Sequence, residues 1–247
     1  MYIESVLYYS NNLRKNMRVN IYGTAGLPIL CFPAQDSMAN NYEEFGLVNE
    51  IADYIDGERV QLYCVDSNDI ESWSNKNGDP AWRANRQEEY FRFITEELVP
   101  YINSRKRSFC EPFTFGVSMG ANHAALTFLR RPDLFSGMLS FSGVFTVKYF
   151  FNDYCDGTLY NNAPELFMPN LPKDHPYIDL YNQKKIIFCI GQGAWEEGLP
   201  TYHHLESVFR EKGINAWFDY WGHDVAHDWP WWLVQIRYFL PYILEDK

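Results

Sequence analysis

The chain has 247 residues, 47% of them apolar and 21% charged, with a formal charge of −11. That composition belongs to a folded globular protein rather than a disordered one, and its length suits one domain of α/β or large all-β type, or two small ones, with a core that needs no disulfide or metal staple. The acidic balance excludes a nucleic-acid backbone as ligand, which would call for clustered Lys and Arg. The dense basic run Arg105-Lys106-Arg107 reads instead as a solvated helix end.

In chain order, Val6–Ser10 and Met17–Gly23 read as two strands joined by a polar turn at Asn11-Asn12. Pro28–Pro33 is a short apolar run bounded by prolines, the pattern of a strand buried on both faces. Phe45, Val48, Ile51, Ala52 and Ile55 recur at helical spacing and predict a helix over Tyr42–Ile55 that Gly57 stops. Val60–Val65 is the next strand, and Asp66–Pro80, rich in Asn, Gly and Ser, a loop at its end. A helix over Gln87–Asn103 carries Tyr90, Phe91, Ile94, Leu98 and Ile102 on one side, and Pro100 is expected to kink or break it.

Phe113–Val117 reads as a strand, Met119–Arg130 as a helix and Gly137–Ser142 as a strand. Phe145–Lys185 has no clean period and much Asn, Pro and Tyr, as short helices and loops do. Lys185–Ile190 is a strand, Tyr202–Lys212 a helix ended by Gly213, and Ile214–Trp221 a strand. A last helix runs from about Pro230 to Leu244, with Leu233, Ile236, Leu240 and Ile243 facing inward. The alternation predicts about eight strands, mainly parallel, flanked by helices, in a single α/β domain over residues 1–247.

Five cysteines (Cys31, Cys64, Cys110, Cys155, Cys189) form an odd, widely spaced set without a CxxC pair. Three lie in apolar, strand-like runs, where a reduced thiol behaves as a small hydrophobe. The opening Met1-Tyr2-Ile3-Glu4-Ser5 has no basic n-region or apolar h-region, and no apolar stretch approaches the roughly 18 residues of a membrane span. These features predict a cytoplasmic protein with no membrane partner.

The segment Gly116-Val-Ser118-Met-Gly120 is a G-x-S-x-G pattern placed between a strand and a helix. A turn this tight demands small residues two before and two after the serine, and it sets the hydroxyl at a helix N-terminus. There the Met119 amide points at a developing oxyanion. A serine hydroxyl is a weak nucleophile at neutral pH, so it needs a histidine base and an acid that orients it, expected after later strands in the order Ser, acid, His.

Of the six histidines, His123 shares the helix after the serine and is expected to pack, His175 sits in the irregular region, and His203 and His204 open a helix. His223 and His227 fall between the last strand and the last helix, where the base belongs. As an i, i+4 pair they lack the Glu of H-E-x-x-H and a third ligand, and they precede the helix start at Asp228-Trp229-Pro230, so neither a metal site nor a cofactor is predicted. Glu196 and Glu197 follow the strand Lys185–Ile190 as candidate acids, one of them free to cap the next helix. Asp219 lies within a strand, and Asp224 and Asp228 flank the histidines too closely.

With these positions assembled, the chain resembles the putative esterase family of α/β-hydrolases, which includes S-formylglutathione hydrolase (esterase D), feruloyl esterases and mycolyltransferases. The likeness runs from the strand at Pro28 to the final helix. It rests on Gly116-Val-Ser118-Met-Gly120-Ala and on His227-Asp-Trp-Pro-Trp-Trp232, similar to the family's G-G-H-D-W-x-x-W, with Val225-Ala226 in place of the two glycines. The resemblance implies an α/β-hydrolase fold without a large cap and His227 as the base. Gln192-Gly193-Ala-Trp-Glu196 resembles the Q-G-x-x-D of formylglutathione hydrolases and implies Glu196 as the acid, Glu standing for Asp. In the oxyanion loop Phe32-Pro33-Ala34-Gln35 stands where the family has His-Gly, implying Gln35 as the second amide donor beside Met119.

The implied activity is hydrolysis of a small-molecule carboxylic ester, acyl or carbohydrate-linked, through an acyl-enzyme on Ser118. Transfer of the same acyl group to a sugar or alcohol is a rival reading, and a non-catalytic carbohydrate- or protein-binding module on an inert hydrolase fold is another. Aromatics crowd Trp217–Trp232 and Tyr149–Tyr160. Core packing accounts for many of them, while Trp73, Trp195, Trp221 and Trp229 are candidates to line a substrate pocket near strand ends. Nothing in the sequence chooses between a monomer and a homo-oligomer.

Overall fold

A computed structural model describes residues 1–108 and 110–244. The chain opens with β1 (Ile3–Ser10) and β2 (Lys15–Tyr22), an antiparallel pair, and continues with β3 (Leu27–Phe32). Three short helices, α1 (Asn41–Glu44), α2 (Leu47–Glu50) and α3 (Ala52–Asp56), lead to β4 (Val60–Val65). Then come α4 (Pro80–Arg92), a π-helical stretch Phe93–Leu98, α5 (Val99–Arg105), β5 (Phe113–Val117), α6 (Met119–Arg130) and β6 (Gly137–Phe141). Four short helices, α7 (Lys148–Phe151), α8 (Gly157–Asn161), α9 (Pro164–Asn170) and α10 (Pro176–Asn182), precede β7 (Lys185–Ile190). The fold closes with α11 (Leu199–Lys212), β8 (Trp217–Tyr220) and α12 (Trp229–Leu244).

The eight strands form one mixed sheet in the order β1-β2-β4-β3-β5-β6-β7-β8. β2 pairs antiparallel with β4, and every pair from β4 to β8 is parallel. The period of two in a strand divides the side chains between two cores. Ile29, Cys31, Leu62, Phe115, Leu139 and Cys189 face α1–α3 and α12. Leu30, Phe32, Tyr63, Met138, Ile186 and Phe188 face the layer built from α4, α5, α6 and α9–α11. The parallel strands all point one way, so the loops after β3, β4, β5, β6, β7 and β8 gather at one edge, where open parallel sheets bind ligands. No helix among the described residues is long and apolar enough to cross a membrane.

Four details differ from the sequence reading. The single helix expected over Tyr42–Ile55 is three short ones, because Gly46 at φ +84° breaks the hydrogen-bond ladder between α1 and α2, and Ile51 at φ −111°, ψ +22° breaks it between α2 and α3. The helix expected from Gln87 starts at Pro80, where Asp79 caps it by accepting the Trp82 amide and Pro80 occupies the first turn, where its missing N–H costs nothing. Pro100 does not end that helix: the π-helical turn before it widens the ladder, and Pro100 falls in the first turn of α5. Finally, β8 is shorter than Ile214–Trp221, since the chain leaves α11 through Gly213 at φ +72° and pairs with β7 only from Trp217.

Candidate active site

β5 ends at Val117 and α6 begins at Met119, leaving Ser118 alone in the turn at φ +56°, ψ −123°. A non-glycine residue held there stores about 1–3 kcal/mol of backbone strain. The tight approach follows from two glycines. A Cβ on Gly116 would lie 1.9 Å from the Gly120 carbonyl oxygen, and one on Gly120 would lie 2.1 Å from that of Phe32. Packing α6 onto β3 and β5 therefore presents the Ser118 hydroxyl above the strand ends.

His227 Nε2 lies 2.9 Å from Ser118 Oγ, and His227 Nδ1 lies 3.2 Å from Glu196 Oε2. Two loops bound to each other set this geometry. Gly193 N–H donates to the Val225 carbonyl at 2.8 Å, Gln192 Nε2 to the Trp221 carbonyl at 2.8 Å, and His227 N–H to the Ala194 carbonyl at 2.9 Å. Gly191 permits the approach, since a Cβ there would lie 2.1 Å from the Val225 carbonyl oxygen. The Trp232 ring stands edge-on to the imidazole at 5.1 Å.

The Glu196 side chain is 1% exposed, and a buried carboxylate needs donors. Its Oε1 accepts the Ser142 hydroxyl at 2.6 Å and the Gly191 amide at 3.2 Å. Ser142, at φ +56° just past β6, in turn accepts the Trp232 indole N–H at 3.1 Å. Glu197, the other acidic candidate, is exposed at the rim of the adjoining cleft. His223 is exposed in its loop, and among the described residues no group of three His, Cys, Asp or Glu is placed to hold a metal ion.

A cleft of about 240 Å³ opens over Ser118 and His227, lined also by Gln35, Met119, Asn122 and Tyr149. The Met119 amide, at the first position of α6, has no carbonyl within the helix to bond. The Gln35 amide lies between two that are satisfied: Ala34 N–H donates to Asn41 Oδ1 and Asp36 N–H to Asp69 Oδ2. Trp195, 73% exposed, reaches the cleft. Trp73 is buried against Phe150 and Phe151 and lines a smaller neighbouring cavity. Trp221 packs on Tyr238 and Phe239, and Trp229 stacks on Phe45 at 4.6 Å, so neither is among the residues lining the cleft.

Several residues that sequence reasoning passed over shape the site. Asn122 clamps the loop after β6, its Oδ1 accepting the Val144 amide and its Nδ2 donating to the Val144 carbonyl. The Tyr202 hydroxyl accepts the Gly143 amide at 2.9 Å, and burial holds that phenol above its ordinary pKa. The Arg83 guanidinium, buried without a carboxylate partner among the described residues, donates to the Ser72, Trp73 and Phe150 carbonyls and so ties α7 to the loop after β4. Burial pulls its pKa down. Asn122 lay in plain view four residues past the nucleophile candidate, whereas the roles of Ser142, Tyr202 and Arg83 depend on long-range contacts that no local pattern marks.

The sequence profile of the family described as "Putative esterase" matches residues 10–241. No curated protein sequence matches the chain. Among solved structures, a ferulic acid esterase superposes with a TM-score of 0.77 at 15% identity, covering 98% of each chain. The S-formylglutathione hydrolase FrmB of Staphylococcus aureus gives 0.71 at 13% identity, over 99% of this chain and 96% of its own. MPT51 of Mycobacterium tuberculosis gives 0.74 at 14% identity, over 99% and 98%.

Proposed function

The chain belongs to the Putative esterase family and has the α/β-hydrolase fold, and on that footing we propose that it hydrolyses a small-molecule carboxylic ester through a Ser118–His227–Glu196 triad. The observation that carries this reading is the unbroken series of contacts from Ser118 Oγ to His227 Nε2 at 2.9 Å and from His227 Nδ1 to Glu196 Oε2 at 3.2 Å. His227 takes the hydroxyl proton as Ser118 Oγ attacks the carbonyl carbon, and Glu196 holds the Nδ1–H and stabilises the imidazolium. The Met119 and Gln35 amides donate to the oxyanion of the tetrahedral intermediate. Its collapse releases the alcohol, protonated by His227. Water, deprotonated by the same imidazole, then cleaves the acyl-enzyme and frees the acid.

A fluorophosphonate probe tests the reading, and one structural neighbour, FphF of S. aureus, is named as a fluorophosphonate-binding serine hydrolase. The expected result is one adduct per chain on Ser118, none in Ser118→Ala, and loss of aryl acetate hydrolysis in that variant by at least about a thousandfold. Folded parent protein that takes no label would point to a binding module on an inert fold. Hydrolysis by Ser118→Ala at the parent rate would sink the triad.

A further inference from the structure

We infer that the buried His123–Asp69 pair is a positioning device that sets the separation of the two oxyanion donors, Met119 and Gln35. This rests on the reading of those two amides given above. Met119 and His123 belong to the same helix, α6, one turn apart. His123 Nε2 lies 2.8 Å from Asp69 Oδ1, with side-chain exposures of 2% and 0%. Nε2 is placed to donate to this carboxyl oxygen. The other oxygen, Asp69 Oδ2, accepts the Asp36 amide at 3.3 Å. Asp36 directly follows Gln35 and turns the chain at φ +59°.

Beyond the packing of Gly120 against Phe32 and Pro33, other hydrogen bonds of this loop run elsewhere. Ala39 N–H donates to Asp66 Oδ1 at 2.9 Å, Ser67 N–H to the Ser37 carbonyl at 3.2 Å, and Ala34 N–H to Asn41 Oδ1 at 3.0 Å. These fasten the loop to the segment after β4 and to α1. Asp69 fastens it to α6, the helix that carries the other donor. The imidazole is itself gripped, stacked on Phe32 at 6.0 Å and set edge-on to Tyr90 at 5.1 Å. A buried pair of this kind adds little net stability over apolar packing, but its directed bonds fix geometry. Oxyanion donors are sensitive to small displacements, because their contribution depends on where the charge develops.

The test compares p-nitrophenyl acetate with its thionoester, in which sulfur replaces the carbonyl oxygen and accepts hydrogen bonds poorly. The ratio of the two kcat/KM values therefore reads donation to the oxyanion. Asp69→Leu, close in size, has no acceptor for either donor and breaks both links. The ratio is expected to fall about tenfold, with KM for the oxygen ester within about twofold. His123→Leu should lower it likewise, and His123→Gln, whose Nε2–H can reach the same acceptor, should restore most of it. A purely structural fault would slow both substrates alike and lower the thermal midpoint without moving the ratio. An unchanged ratio in Asp69→Leu and His123→Leu overturns the inference. Gln35→Pro, which deletes the amide, separates the two levels. If it alone lowers the ratio, the donor reading stands and the positioning role fails. If it leaves the ratio unchanged, the donor reading fails and the inference goes with it.

Discussion

The Ser142 hydroxyl donates to Glu196 Oε1 at 2.6 Å, joining the end of β6 to the loop after β7 across 54 residues of sequence. The other carboxylate oxygen faces His227 Nδ1, so the position of Ser142 helps decide where the proposed base stands. A hydrogen bond to a charged group contributes about 1.5–3 kcal/mol. Ser142→Ala is therefore expected to lower kcat/KM for an aryl acetate by about 10- to 100-fold. It also leaves the Trp232 indole N–H without its acceptor. Steady-state kinetics of the variant check this, and parent-like turnover would show that the Gly191 amide alone holds the carboxylate.

Ser118 combines strain with its proposed role as nucleophile, and two substitutions separate them. Both Ser118→Ala and Ser118→Gly remove the hydroxyl and its contact with His227. Only glycine is at ease at φ +56°, ψ −123°. Relief of about 1–3 kcal/mol exceeds the roughly 0.4–1 kcal/mol that glycine costs through the unfolded chain. Ser118→Gly should thus melt above Ser118→Ala while both are inactive. A glycine variant that melts lower in calorimetry would mean that the turn at Ser118 is unstrained.

The sequence marks what depends on local rules. β4, β5, β7 and α6 begin and end where the apolar runs and the G-x-S-x-G pattern place them, because a strand covered on both faces is apolar along most of its length, as these three are apart from Gln61, Thr114 and Lys185. The turn at Ser118 is legible for a similar reason: Gly116 and Gly120 answer to backbone atoms within the same strand-turn-helix and to the neighbouring β3. Gly46 was hidden because the apolar spacing of Phe45, Val48 and Ile51 looks helical, yet Phe45 is 48% exposed and stacks on Trp229. The cap pair Asp79-Pro80 was likewise masked by the polar run before it. Trp221 and Trp229 lie close to His227 in sequence, but their rings turn into the aromatic packing around α12, which proximity along the chain does not reveal.

Glu165 gives the fold a pH dependence of known sign. Burial raises its carboxyl pKa above the ordinary 4.5, against the opposing effects of the Val147 amide, the Thr146 hydroxyl and His204. The folded state then binds more protons than the unfolded one over that window. Stability falls as the pH rises from about 4.5 through the folded value, and stays lower above it. Glu165→Gln keeps the oxygen that accepts the Val147 amide and carries no charge. Its thermal midpoint at pH 7 should exceed the parent's by up to a few degrees, with the gap closing on acidification to about pH 4. Midpoints that differ equally at both pH values would assign the effect to packing.

Trp195 presents the plainest case of an aromatic kept for something other than the core. It is 73% exposed and sits at φ +64°, so its position costs strain and hides little apolar surface. It lines the cleft with Tyr149, itself 49% exposed. An aromatic face offered to a bound ring contributes about 0.5–1.5 kcal/mol beyond its buried area. Trp195→Ala should therefore raise KM for an aryl ester about two- to tenfold, with kcat within about twofold and little change for a methyl ester of the same acid. Trp195→Gly should match it kinetically and melt higher, since glycine removes the strain along with the ring. An unchanged KM for the aryl ester in both variants would make Trp195 a bystander. The selectivity of the cleft would then rest on its other lining residues, Tyr149 and Phe150 of α7 among them.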